Sequence, residues 1–159
     1  MTQHFFRRPA LALVLALGCA VAAMAADPAS YNPREAYKQT NLAALVPASR
    51  ITDGSRIIFE PRPVRFQARL AQMPTEQKAD YLKQVMSMMG ATSQLQVSKR
   101  VALDYGGDKL LAAYIEDQAA ARVASEIKVG DERVFYAFHV YNNRYGPALV
   151  ITSFEDKEE

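Results

Sequence analysis

Cysteine, tryptophan and histidine are scarce in this chain of 159 residues, which holds one cysteine, two histidines and no tryptophan. The cysteine is Cys19 and the histidines are His4 and His139. Beyond the N-terminal segment, which we expect to be removed, the chain therefore offers no thiol for a disulfide, a nucleophile or a thiolate metal site. One remaining imidazole without a carboxylate cluster does not make a metal centre, so we expect neither a metal nor another cofactor.

The first 25 residues have the three parts of a cleavable export signal. Arg7 and Arg8 are followed by a run of apolar residues and glycine, and an Ala-Met-Ala pattern predicts a cut after Ala25 or one residue later. The second half of the run is mostly alanine, which does not favour stable membrane insertion. We expect a periplasmic or secreted protein; a lipoprotein acylated at Cys19 is the alternative.

The rest of the chain has the length of one ordinary domain. We divide the sequence into the signal (1–25), an extended or partly helical leader (26–49), a single globular domain (50–155) and a charged tail (156–159). Three prolines punctuate the leader, and we expect it to be loosely held.

Net charge gives this protein no preference for an anionic macromolecule. Without Arg7 and Arg8 the chain has 17 basic and 17 acidic residues, so we do not expect nucleic acid as a partner. The charges are nevertheless sorted: residues 27–100 carry 11 basic and 6 acidic groups, and residues 101–159 carry 6 and 11. Either the two halves pair with each other, or the surface has two patches of opposite sign.

Residue periodicity predicts an α+β fold. Apolar and polar residues alternate from Val64 to Leu70, as in a half-buried strand, and Gly106-Gly107 joins two strands as a hairpin. Residues 133–142 are apolar on both faces, which is typical of a central or barrel strand. An apolar stripe predicts an amphipathic helix of about 15 residues, 75–89, and residues 118–125 predict a shorter second helix.

The predicted order of elements fits a small antiparallel sheet that curls into a barrel. An OB-like barrel is one possibility, because that fold also has five strands and the short helix would follow the third. In this reading the helix at 75–89 is an insertion. A curved sheet packed on that longer helix is the rival interpretation.

Arginine supplies every basic residue between positions 50 and 69, and this series contains the candidate binding residues. Arginine forks bind carboxylates and phosphates in pairs. Arg65, Gln67 and Arg69 share the polar face of one predicted strand. The hypothesis is either a solvated face paired with acids or a binding surface, whose residues we take as Arg62, Arg65, Gln67, Arg69, Tyr136 and His139.

No sequence pattern points to a reaction. His139 lies in the most apolar strand, where a packed histidine is commoner than a general base, and no serine has a nucleophile motif around it. We expect a non-enzymatic binding or accessory protein of the cell envelope, with another envelope protein or a small anionic ligand as its partner. The alternative is a small metal-independent periplasmic enzyme that uses arginine, tyrosine and His139. The oligomeric state stays open.

Overall fold

The computed structural model describes residues 33–90 and 95–157, so the predicted export segment, with Cys19, lies outside the described residues. Within those ranges the helices are α1 (Pro33–Ala36), α2 (Leu42–Ala48), α3 (Asp80–Met88) and α4 (Asp117–Glu126). The strands are β1 (Lys38–Gln39), β2 (Ile57–Glu76), β3 (Lys99–Asp104), β4 (Leu110–Ile115), β5 (Glu132–Asn143) and β6 (Gly146–Asp156). The fold is α+β, as the sequence predicts.

All six strands belong to one mixed sheet that curls into a ring. The strand order is β1-β2-β3-β4-β6-β5, and β5 pairs again with β2. β1 is parallel to β2 and β4 is parallel to β6, whereas the other ladders are antiparallel. The expectation of a wholly antiparallel sheet is therefore wrong at these two short ladders, both of which join strands that are distant in sequence.

β2 is a single strand of 20 residues that serves two ladders in succession. Its first part pairs with β5 and its last part with β3. Pro61 and Pro63 lie within this strand, although proline has no N–H to give to a ladder. The structure keeps the strand continuous and places a register shift between Ile58 and Arg62. Apart from two residues of β1, this half of β2 has a neighbour on one side only, and such an edge tolerates proline.

The interior of the ring is filled by the inward residues of five strands. Val64, Phe66, Ala68 and Leu70 of β2 are all buried, which confirms the predicted alternation. The other strands contribute Val101, Leu103, Leu111, Ala113, Ile115, Phe135, Ala137, Leu149 and Ile151. Each large side chain buried in this way stabilises the fold by about 1.5–3 kcal/mol.

Two helices complete this core. α4 packs Ala119, Ala120 and Val123 against it. α2 adds Leu42 and Val46, so residues of the segment that the sequence predicts to be loosely held belong to the main core. Asn41 begins α2 by accepting the N–H of Ala43 at 2.8 Å, which is an ordinary N-cap bond.

α3 covers the outer face of the sheet and forms a second apolar cluster. Leu82 and Val85 are buried there against Val140, Tyr141, Ala148 and Val150 of β5 and β6. The helix predicted at 75–89 is shorter in the structure, where α3 has nine residues and begins at Asp80. Thr75 and Glu76, expected in its first turn, pair instead with β3 in the sheet.

Candidate functional site

The six predicted binding residues lie along the ladder between β2 and β5. Arg62 is opposite His139 and Arg65 is opposite Tyr136. The two pairs differ in environment, because Arg62 lies beside a buried histidine and Arg65 lies beside a tyrosine that is held by a carboxylate. Gln67 and Arg69 are exposed further along β2.

His139 is packed among neutral and aromatic groups. It is 5% exposed, its ring lies 4.7 Å from that of Phe59 in an edge-on arrangement, and its Nε2 lies 2.7 Å from Oδ1 of Asn142. The guanidinium of Arg62 stacks over Phe59 at 4.6 Å. Burial, with a smaller contribution from Arg62, lowers the pKa of His139, so the imidazole is neutral at neutral pH.

Tyr136 belongs to a polar cluster that also contains Arg34 and Glu155. The hydroxyl of Tyr136 donates to Oε1 of Glu155 at 2.5 Å, and Arg34 forms an ion pair with the same carboxylate at 3.1 Å. Tyr37, which follows α1, contacts the ring of Tyr136 edge-on, with 5.1 Å between the ring centroids. Burial, together with the adjacent Glu155, raises the pKa of Tyr136.

Arg65 is partly satisfied in this position. Its side chain hydrogen-bonds Tyr136, yet its Nε is the one buried side-chain nitrogen or oxygen without a hydrogen-bond partner in residues 33–90 and 95–157. A cavity of about 190 Å³ lies beside it, lined also by Gln39, Gln67, Glu155 and Lys157. Glu155 makes this cavity electrostatically mixed.

At the far end of the series the positive charge of Arg69 is matched by acids. Arg69 is in register with Glu132 on β5 and with Asp104 on β3. The pKa of Glu132 is lowered first by a hydrogen bond from Lys157, then by one from Gln67, and further by the charge of Arg69. Arg69 therefore has an acidic residue opposite it on each of the two neighbouring strands.

A larger groove, which the sequence does not predict, lies over β3 and β4. It has a volume of about 590 Å³. Its floor includes Leu110, Ala112 and Tyr114 of β4, and its rim carries three arginines: Arg50, Arg100 and Arg144. None of the described residues that line it is acidic, so the groove is a positively charged surface with an apolar floor.

Three separate segments bring the arginines to this groove. Arg100 projects from the exposed face of β3. Arg144 lies in the turn between β5 and β6, where its guanidinium stacks over the ring of Tyr145 at 4.6 Å. Arg50 follows α2, and the next residue, Ile51, donates its N–H to the carbonyl of Asn143 at 3.0 Å. That bond fastens the Arg50 segment to the same turn.

Exposed hydrophobic groups and tyrosines accompany the arginines. Leu110 is 63% exposed and Tyr145 is 67% exposed, so both side chains add accessible apolar surface to the groove. Tyr114 and Tyr141 also line the groove, and their hydroxyls are 3.4 Å apart. Burial, more than this contact, raises the pKa of Tyr141, so its hydroxyl stays protonated.

The ring is incompletely closed beside this groove. β4 and β6 form only two pairs, Tyr114 with Val150 and Ile115 with Ile151. If the register continued, Pro147 would come opposite Leu111, but proline has no N–H to give to a neighbouring strand. The first part of β6 instead pairs with β5 alone, which leaves one edge of β4 without a strand.

No protein-family model, curated protein or solved structure matches this chain. The chemistry of the sites therefore rests on the side chains themselves. In the ranges that the structure describes, no group of three or more His, Cys, Asp or Glu side chains is placed to hold a metal ion. The same ranges contain no helix that is long and apolar enough to cross a membrane.

The sequence interpretation and the structure thus emphasise different surfaces. The six predicted residues share one ladder, whereas none of them lines the groove of about 590 Å³. Its arginines occur singly in three distant segments, with no common spacing. The available signals were Arg50, which begins the arginine series, and the run Asn142–Pro147, a turn that carries Arg144 and Tyr145 together.

Proposed function

We propose that this protein is an exported, non-enzymatic binding domain of the cell envelope. Its ligand is anionic and binds in the groove over β3 and β4. The observation that carries this proposal is the groove itself, in which three arginines surround an apolar floor and no acid appears among the described lining residues. Arginine guanidinium groups recognise carboxylates and phosphates by paired hydrogen bonds.

We further propose that the ring is an OB-like barrel. Without the two residues of β1, five strands follow in the order β2-β3-β4-β6-β5 and return to β2, with α4 between the third and fourth strands. In OB folds the face of the second and third strands, with the loops beside it, is the binding surface. Here that face is formed by β3 and β4, and the groove lies on it. The ladder from β2 to β5 favours the barrel over a curved sheet packed on α3.

An enzyme that uses His139 is the second candidate, and the geometry supports it less. The hydrogen-bond partner of His139 is the amide of Asn142 rather than a carboxylate. Burial, with a smaller contribution from the charge of Arg62, lowers the pKa of the imidazole. His139 also does not line the groove. A base needs access to its substrate, and the open, arginine-lined surface is elsewhere.

Export is the part of the proposal that rests on the sequence alone. Intact-mass analysis of the protein recovered from an expressing bacterium tests it. We expect a chain that begins at Ala26 or Asp27. An N-terminus at an acylated Cys19 would establish a lipoprotein instead, and an unprocessed chain in the cytoplasm would refute export.

The binding surface is tested by capture from an envelope extract with the purified protein immobilised. The double variant Arg100→Gln and Arg144→Gln is expected to lose the partner that the native protein retains. The matched control is Arg62→Gln with Arg69→Gln, which removes the same charge from the predicted ladder. Loss of capture in the control alone would move the site to the ladder, whereas equal capture by all three proteins would refute a role for both surfaces.

A further inference from the structure

The unpaired edge of β4 allows the ligand of the proposed groove to be specified, and the inference rests on that proposed function. Tyr105 donates its N–H to the carbonyl of Lys109 at 3.1 Å. In an antiparallel ladder, residues that bond the partner strand alternate with residues that face away from it. Leu110 and Ala112 therefore direct their backbone N–H and C=O groups away from β3.

The bond pattern on the other side of β4 agrees with this assignment. Glu116, which continues the same alternation, donates its N–H to the carbonyl of Ile151 on β6 at 2.9 Å. Beyond that point β6 diverges, and the ladders give Leu110 and Ala112 a partner on the β3 side alone. The edge borders the groove, because both residues line it.

We infer that the groove binds an extended acidic peptide segment of a partner protein, which adds a strand to β4. Strand addition satisfies backbone groups that an edge leaves free, and this is a common mode of peptide recognition. The added strand would take the place that β6 leaves. Its amides and carbonyls would bond the N–H and C=O groups of Leu110 and Ala112 that point away from β3. On that side, no strand of the described residues pairs with Leu110 or Ala112.

Charge complementarity determines the kind of peptide. Every second side chain of an added strand shares one face of the sheet, and here that face carries Arg100 together with the exposed side chain of Leu110. Arg50 and Arg144 stand at the rim. Carboxylates at alternate positions of the peptide would therefore share this face with Leu110 and meet the arginines, whereas the intervening side chains would point to the opposite face of the sheet.

Single-stranded nucleic acid is the competing ligand for a surface of arginine and tyrosine. Two observations favour the peptide. After the predicted processing the chain has 17 basic and 17 acidic residues, so it lacks the overall positive charge that attracts a polyanion. The free edge of β4 offers alternating donors and acceptors at strand spacing, which an extended polypeptide matches.

The experiment begins with two pools of short synthetic peptides. One has Asp or Glu at every second position, the other has Lys or Arg there, and the remaining positions are randomised in both. The purified protein is expected to enrich sequences from the acidic pool alone. Absence of enrichment, or equal enrichment from the basic pool, would overturn the inference.

Backbone pairing is then measured with the best enriched peptide. Amide hydrogen exchange by NMR should slow at Leu110 and Ala112, and change little at Leu111 and Ala113, whose N–H groups face β3. In the peptide, N-methylation of alternate amides should abolish binding in one register and be tolerated in the other. Tolerance of both methylated peptides, or unaltered exchange at Leu110 and Ala112, would refute strand addition.

The role of the rim is separated by substitution. Arg100→Gln and Arg144→Gln are each expected to raise the Kd for the peptide by about tenfold. Arg69→Gln, on the other ladder, should leave the Kd unchanged. Binding that depends on Arg100 but protects neither edge amide would retain the proposed groove and reject the peptide strand. An oligothymidine probe that displaces the peptide and binds more tightly would assign the groove to nucleic acid.

Discussion

The packing of α2 leads to a quantitative prediction about stability. Leu42 is 3% exposed and lies in the main core, although it precedes the region that the sequence marks as the globular domain. Leu42→Ala removes buried carbons and leaves a cavity, a change that costs about 2–5 kcal/mol in protein cores. Because α2 packs from one side of the ring and its surroundings can partly collapse, we expect a loss of about 3 kcal/mol.

That loss is large against the total stability of a domain of this size, about 5–15 kcal/mol. Urea unfolding followed by circular dichroism measures it, and the midpoint should fall while the slope stays the same. In thermal melts we expect a Tm lower by about 10 °C.

Leu110→Ala is the matched control, because Leu110 is 63% exposed and the chemical change is identical. Its effect should stay within about 0.5 kcal/mol. Equal midpoints for Leu42→Ala and Leu110→Ala would show that α2 does not share the core. The segment before residue 50 would then be the loosely held leader that the sequence predicts.

The remaining predictions concern a turn, a histidine and the exposed ladder. Gly146→Ala should lower the free energy of unfolding, measured with urea, by about 1–3 kcal/mol. Gly146 has φ +119°, and an added Cβ would lie 3.1 Å from the carbonyl oxygen of Val46. Gly106→Ala should lose less stability, because Gly106 has φ +115° but an added Cβ would have no atom within 4 Å. Equal losses in the two variants would show that the contact with Val46 does not contribute. Burial lowers the pKa of His139 below its ordinary 6.5, so the unfolded chain binds the proton more readily. The resulting stability is complete above about pH 6.5 and is lost as the pH falls through the lower folded pKa. His139→Gln should flatten that decline in urea midpoints measured across this range, whereas parallel profiles would contradict the reasoning. Arg69→Gln should change the free energy of unfolding by less than about 1 kcal/mol, and a larger loss would indicate that this arginine is structural.

Strands with a clear inside and outside could be predicted from the sequence. The alternation from Val64 to Leu70 records directly which side chains face the core, and all four apolar residues are buried. The hairpin at Gly106-Gly107 could also be predicted, because two adjacent glycines between apolar runs favour a tight turn. In both cases the information lies within a few neighbouring residues.

The start of α3 could not be predicted, because a distant strand decides it. Thr75 and Glu76 have the local character of an N-cap and a first helical turn. They lie opposite Arg100 and Lys99 in the sheet, and the Nζ of Lys99 reaches Oε1 of Glu76 at 3.7 Å. Pairing with β3 outweighs the weak local preference.

The groove was hidden for a related reason. Arg50 belongs to the arginine series, but Arg100 and Arg144 each look like an ordinary surface residue in the sequence, and only the curling of the sheet brings the three segments together. The arginines of β2 look conspicuous because they are close in the chain. Proximity in sequence is therefore a poor guide to which charges form a site in a curled sheet.

The double pairing of β2 has a consequence for how fast the protein folds. Arg62 must find His139, near the other end of the described chain, before the ring can close. Bringing two residues so distant in sequence together costs chain entropy before the contacts that offset this cost have formed. Topologies rich in such distant pairings fold in about milliseconds to seconds. In a protein that we propose to be exported, slow folding would keep the chain unfolded during its passage across the membrane. The ring of strands would then close after translocation.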